Sequence, residues 1–165
     1  MHAGMLPSPG WATMGTDMRV WVATTLAAAL ALSGCQTVQH NTASQKPEVT
    51  IAAPSAKVKP AVINAFINDG YNITSDSQYL VVMRKASDNV GATLLFGSTN
   101  YPAVDERVSL TFAEMDGKTR IVADTSFVAN PGTGFEEVIP TTRFEESAEV
   151  QTMLDRIKAG WSPAS

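Results

Sequence analysis

Hydrophobic spacing divides the chain after residue 47 into short strands and two longer helices. Residues 48–52 alternate as a strand does, and residues 60–69 carry apolar side chains three and four positions apart, as one face of a helix does. Pro60 suits the first turn of that helix, and Gly70 suits the left-handed position that ends it. The predicted apolar face consists of Val62, Ile63, Phe66 and Ile67.

The clearest strand pairing lies in the second half of the chain. Residues 107–115 and 118–129 alternate between apolar and polar side chains on either side of Asp116 and Gly117. An Asp-Gly pair favours the two-residue type I′ turn, so we expect these two strands to form a β-hairpin. Residues 79–85 alternate in the same way and predict a further strand.

The remaining segments carry weaker signals. Residues 89–98 favour a short helix or a turn, with Asp88 as the expected cap, although their two glycines leave the choice open. Residues 130–140 are predicted to be a loop because of their glycines and prolines. Thr142 and Glu145 have the spacing of a capping box and predict the start of a helix. Its apolar stripe is Val150, Met153, Leu154, Ile157 and Trp161.

These elements predict a single α+β domain over residues 48–165. The order is strand, helix, strand, short helix, strand, strand, helix. Each of the two longer helices has one apolar stripe, so both can cover the same face of a sheet. We therefore expect an antiparallel sheet of about four strands packed against two helices.

The N-terminal segment has the pattern of a signal peptide. Residues 20–32 contain no charge and follow Arg19, but thirteen residues are too few to cross a hydrocarbon core of roughly 30 Å. The tetrapeptide that follows is Leu32, Ser33, Gly34 and Cys35. It resembles the lipobox of bacterial lipoproteins. That resemblance implies cleavage between Gly34 and Cys35, a diacylglycerol on the Cys35 thiol, and a fatty acid such as palmitate on the new amino terminus.

The lipobox also predicts the organisation of the N-terminal region. Residues 1–34 are the expected signal peptide, for which translation from Met18 would give a typical length. Residues 35–47 are the expected lipidated cysteine and flexible tether, with a contour of about 40 Å for the polar spacer. In Gram-negative lipoproteins an aspartate after the cysteine favours the inner membrane, so Gln36 implies an outer-membrane anchor facing the periplasm.

A second resemblance concerns the folded part. Residues 61–71 form a helical segment that ends in glycine and tyrosine before the next strand. This unit is similar to the helix-grip domains of the C lipoprotein in the outer-membrane barrel assembly machinery. The likeness covers about a third of the chain and implies a fold, because function does not follow from fold alone.

Charge and residue counts narrow the chemistry. The net charge of -4 gives no basic surface for nucleic acid. One cysteine and two histidines, His2 and His40, do not suffice for a zinc or iron–sulfur site or for a nucleophile paired with a base. Adjacent acidic residues such as Asp105 and Glu106 point to opposite sides of a strand. We predict no catalytic residue, metal site or cofactor, and therefore no enzyme.

Apolar residues near predicted loops are the candidate contact sites. Leu94, Leu95 and Phe96 either fill the core or form a surface patch for a partner or an acyl chain, and the same choice applies to Phe135. The sequence thus predicts a lipid-anchored envelope protein whose module is a non-enzymatic part of an envelope assembly with a protein partner. The alternative is a carrier that binds lipid or another hydrophobic ligand in a cavity.

Overall fold

The computed structural model describes residues 37–97 and 103–161. The predicted signal peptide and lipobox, including Gly34 and Cys35, lie outside the described residues. The described residues form six strands and three helices. In chain order these are β1 (Glu48–Ile51), α1 (Ser55–Asn68), β2 (Asn72–Asp76), β3 (Leu80–Ala86), α2 (Val90–Phe96), β4 (Val104–Met115), β5 (Lys118–Ala129), β6 (Glu137–Pro140) and α3 (Glu145–Ala159).

The six strands form one antiparallel sheet with the order β1-β5-β4-β3-β2. The hairpin of β4 and β5 is its centre, and its register runs from Val104 opposite Ala129 to Met115 opposite Lys118. The predicted hairpin turn is confirmed, since Asp116 and Gly117 both have positive φ angles, 53° and 68°. On its other edge, β5 pairs first with β1 and then with β6.

The predicted α+β class is confirmed, whereas the predicted count of elements is too small. All five residues of β2 are exposed, so this strand has no apolar alternation that would reveal it in the sequence. Strand β6 lies within residues 130–140, which were predicted as a loop, and it has only four residues. The short helix favoured for residues 89–98 is present as α2.

Helices α1 and α3 cover one face of the sheet and form the main core. On α1 the buried stripe is Val58, Val62 and Phe66, and the helix starts at Ser55 and not at the predicted Pro60. Ile67, which was predicted on the apolar face, is exposed. Helix α3 buries its predicted Val150 and Leu154, with the rest of the predicted stripe packed at the margin. The sheet contributes Val81, Met83, Val108, Leu110, Phe112, Ile121 and Ala123.

The capping box predicted at the start of α3 is wrong. Phe144 is the N-cap residue, and no side chain caps this helix. The hydroxyl of Ser147 instead lies 2.9 Å from the carbonyl oxygen of Thr142 and 2.8 Å from that of Phe144. The predicted placement of acidic residues is confirmed, since Glu145 and Glu146 occupy the first turn, where negative charge complements the helix dipole.

Helix α1 ends in a Schellman motif built around Gly70. The Tyr71 N–H donates to the Phe66 carbonyl at 3.1 Å, and the Gly70 N–H donates to the Ile67 carbonyl at 3.0 Å. Gly70 has a φ of +92°, as predicted for this position. The rings of Phe66 and Tyr71 meet edge to face, with 5.4 Å between centroids, which turns the chain back toward the sheet.

We expect Gly70→Ala to lower the free energy of unfolding by about 1–2 kcal/mol, because a Cβ strains a left-handed backbone. Gly134→Ala is the matched control. A Cβ at either position meets no atom within 4 Å, and only Gly70 has a positive φ. Urea denaturation measures both variants, and equal stability of the two would contradict the strain argument.

Candidate interaction surfaces

Helix α2 packs one side on the sheet beyond the main core. Its N-cap is Asn89 and not the predicted Asp88, and the Asn89 side chain accepts the Ala92 N–H at 2.9 Å. Ala92 and Phe96, four residues apart, pack against Val104 and Phe127. The centroids of the Phe96 and Phe127 rings are 6.0 Å apart. Ala92 and Phe96 therefore define the side of α2 that faces the sheet.

The opposite side of α2 is an exposed apolar surface. Val90, Leu94 and Leu95 are 69%, 79% and 77% exposed, and we call these three residues the α2 patch. The structure thus places the candidate residues Leu94 and Leu95 on the surface, while Phe96 is half-buried. No charged residue occurs in the sequence between Asp88 and Asp105, so the patch is also uncharged.

Phe135 is the most exposed large apolar side chain of the described residues, at 80%. It lies in the loop between β5 and β6, and hydrogen bonds hold its backbone on both sides. The Phe135 N–H donates to the Thr133 hydroxyl at 3.1 Å, and its carbonyl accepts from the Asn130 side-chain amide at 3.3 Å. Positive φ angles at Asn130 and Gly132 give the loop its tight turns.

An ion pair fastens this loop to β3. The Arg84 guanidinium donates to both oxygens of the Glu136 carboxylate, at 2.8 and 3.1 Å, and the Gly132 N–H donates to the same carboxylate at 3.0 Å. Hydrogen bonding from Arg84, and then from Gly132, lowers the pKa of Glu136 to about 2. The aromatic ring of Phe135 is therefore presented by a loop whose backbone is fixed on the sheet.

Residues 37–47, predicted as a flexible tether, make specific contacts with the module, and we call them the N-terminal strap. The Val38 N–H donates to the Arg143 carbonyl at 3.0 Å, and His40 Nε2 lies 2.9 Å from the Ser147 hydroxyl. Near its end, the Pro47 carbonyl accepts the N–H of Ala123 in β5 at 2.9 Å. Contacts within the chain place the start of the module at Thr37.

Glu48 joins the strap, the sheet and α3. Its carboxylate accepts from Arg120 Nε and Nη2, each at 2.7 Å, and from the Ser44 hydroxyl at 2.6 Å. Its backbone N–H and carbonyl bond to the side-chain amide of Gln151 in α3. Hydrogen bonding from Arg120 is the main cause that lowers the pKa of Glu48 from 4.5 to about 2.

Because the folded state lowers the pKa of Glu48, this carboxylate contributes stability above pH 4.5 that is lost as the pH falls toward 2. We expect the free energy of unfolding of Glu48→Gln to fall less over this range than that of the wild type. Arg120→Gln should show a similar reduction, because it removes the same ion pair. Urea denaturation between pH 2 and 7 measures the three proteins, and parallel pH profiles would contradict the assignment.

Sequence patterns did not reveal a polar cluster on the helix-covered face. Glu106 is buried, with Tyr71 Oη 3.3 Å and Ser87 Oγ 3.1 Å from its carboxylate oxygens. Lys85 Nζ lies 3.4 Å from the same carboxylate and 4.7 Å from the Tyr71 ring centroid. Burial and the Glu106 charge raise the pKa of Tyr71. The members of this cluster pair with one another, which links the end of α1 to β3 and β4.

An open cleft of about 760 Å³ lies between the start of α1 and the end of α3. Its walls are mainly small or apolar, and Lys57 and Arg156 contribute charge at its margin. Trp161 lines it and is the one tryptophan of the chain that follows Cys35. This cleft is at the hairpin-turn end of the sheet, since Gly117 is also part of its lining.

In the part of the chain that the structure describes, no group of histidine, cysteine, aspartate and glutamate side chains is arranged to hold a metal ion. Among the helices that the structure describes, none has the length and apolar character needed to cross a bilayer. No protein-family model matches this chain, and a comparison with curated protein sequences also finds no match.

Proposed function

We propose that this chain is an envelope lipoprotein anchored through acyl chains on Cys35, with its module acting as a non-enzymatic binding part of an envelope assembly. The lipobox residues 32–35 support the anchor. With two or three chains, and about 0.8 kcal/mol for each buried methylene, the attachment is effectively permanent. Gln36 supports an outer-membrane location in a Gram-negative host.

The exposure of the Phe135 ring on a fixed loop is the observation that supports the binding role. Apolar rings at protein interfaces contribute most when little conformational entropy is lost on binding. The hydrogen bond that the Phe135 N–H donates to Thr133, and the one that its carbonyl accepts from Asn130, fix the backbone of Phe135 before a partner binds. Glu136, the next residue in the chain, forms an ion pair with Arg84, and specific protein interfaces combine an apolar centre with polar groups at the rim. We therefore assign the protein-partner contact to this loop.

The anchor is tested on Cys35 itself. We expect the mature protein to begin at Cys35 with a diacylglycerol on its sulfur, and we expect Cys35→Ser to stay uncleaved and to take up no palmitate. Mass spectrometry of the N-terminal peptide and metabolic labelling with palmitate measure the two results. A wild-type protein with an intact bond between Gly34 and Cys35 would contradict the proposal.

The binding role is tested at Phe135. We expect a photo-crosslinking phenylalanine analogue at this position to form an adduct with one envelope protein in native membranes. Phe135→Ala should weaken recovery of that protein, by about thirtyfold in Kd if the ring contributes about 2 kcal/mol.

Met115 provides the matched control for both measurements. It is 74% exposed and ends β4 at the hairpin turn. The other end of β4 is Val104, which pairs with Ala129 just before the Phe135 loop, and it lies about 37 Å from Met115 at about 3.4 Å per residue. The analogue at Met115 should not capture the same protein, and Met115→Ala should leave its recovery unchanged. Equal capture from both positions, or full recovery with Phe135→Ala, would contradict an interface at the loop.

A hydrophobic-ligand carrier is the second candidate function, and the cleft beside Trp161 is the observation that favours it. A ligand there would contact Ala53, Ala61 and Ile157 and would change the fluorescence of Trp161. Purified module that contains bound lipid, together with no specific adduct at Phe135, would favour the carrier over the binding module.

A further inference from the structure

The N-terminal strap and the N-cap residue of α2 contact the same short segment, residues 143–147 at the start of α3. Val38 bonds to the carbonyl of Arg143, and His40 contacts Ser147. From the α2 side, the side-chain amide of Asn89 donates to the carboxylate of Glu146 at 2.6 Å. Both segments therefore lie beside residues 143–147. The end of the strap that leads to Cys35 is close to the start of α2.

The docked strap leaves almost no free tether. The sequence predicts a spacer with a reach of about 40 Å, but the contacts of the strap begin at Val38. Only Gln36 and Thr37 separate Cys35 from Val38, and three residues span at most about 11 Å. If Cys35 carries the acyl chains, as proposed above, the turn at residues 143–147 is therefore held close to the lipid surface.

The α2 patch has the chemistry of a surface that meets lipid. Its three side chains are aliphatic and more than two-thirds exposed. The helix itself has no charged residue, unlike α1 and α3, so α2 contributes no ionic side chain that would lose hydration at the membrane interface. Phe144, which is also exposed, adds an aromatic ring beside the same turn.

We infer that the α2 patch rests on the bilayer that holds the Cys35 acyl chains, so that the module sits on the membrane with its hairpin turn directed away from it. This inference rests on the proposed lipidation and deepens it by giving the anchored module an orientation. It assigns lipid to the α2 patch and leaves the Phe135 loop for the protein partner.

The test uses the acylated full-length protein in vesicles of phosphatidylethanolamine and phosphatidylglycerol. Cys35 is the only cysteine of the chain, so Leu94→Cys supplies one free thiol for an environment-sensitive fluorophore. Met115→Cys is the matched control at the opposite end of the sheet. We expect spin-labelled lipid in the vesicles to cause a loss of fluorescence at position 94 and no loss at position 115.

Loss of fluorescence at neither position, or equal loss at both, would overturn the inference. A crosslink from position 94 to a protein in native membranes, with no loss of fluorescence at position 94 in the vesicles, would also overturn the inference. That result would assign the α2 patch to a protein partner. The intact mass of the same samples reports the acyl chains on Cys35. Acylated protein without loss at position 94 refutes the orientation alone, whereas protein without acyl chains refutes the proposed anchor.

Discussion

The register of the β4–β5 hairpin is the constraint on which the rest of this structure depends. Asp116 and Gly117 adopt the left-handed conformations that a type I′ turn requires, and they fix which residues face each other over twelve pairs. Side chains in a strand alternate between faces, so a slip of one residue would turn Val108, Leu110 and Phe112 away from α1 and α3. Strand β3 adds to one side of this hairpin, and β1 and β6 add to the other.

Two short strands, β1 and β6, share one edge of β5, and this arrangement places the strap and α2 near each other. Strand β1 pairs with the first part of β5, and β6 pairs with its last part. Between them, Ala123 bonds to the end of the strap and the Thr141 N–H bonds to the Thr125 carbonyl. The end of the strap and the segment that leads into α3 therefore bond to neighbouring residues of β5. The strap, the start of α3 and α2 are therefore neighbours.

Sequence patterns predict the parts of this fold whose side chains are buried. The hairpin, α1 and the C-terminal helix were recognisable from apolar spacing, and the spacing of four between Ala92 and Phe96 would also have shown that Leu94 and Leu95 face outward. Glu106 occupies an inward position among the apolar residues of β4, so the alternation indicates one buried carboxylate but does not identify its partners.

The strap and β2 illustrate what patterns miss. Backbone hydrogen bonds and polar side chains hold them, and neither depends on apolar spacing. The cap of α2 shows a similar limit, because Asp88 and Asn89 are both good capping residues and only the three-dimensional register selects one. The proposed cleavage and acylation at Cys35 rest on a short sequence motif, and the fold of the module does not encode them.

The docked strap also determines how mechanical load would enter the module. Tension on the chain ahead of Thr37 acts first on the hydrogen bond between Val38 and Arg143, and then on the bond between Pro47 and Ala123. Ala123 lies in the strand that pairs with three others, and its side chain is fully buried. Tension that passes through the strap is thus transmitted to β5, the strand of this sheet with the most partners.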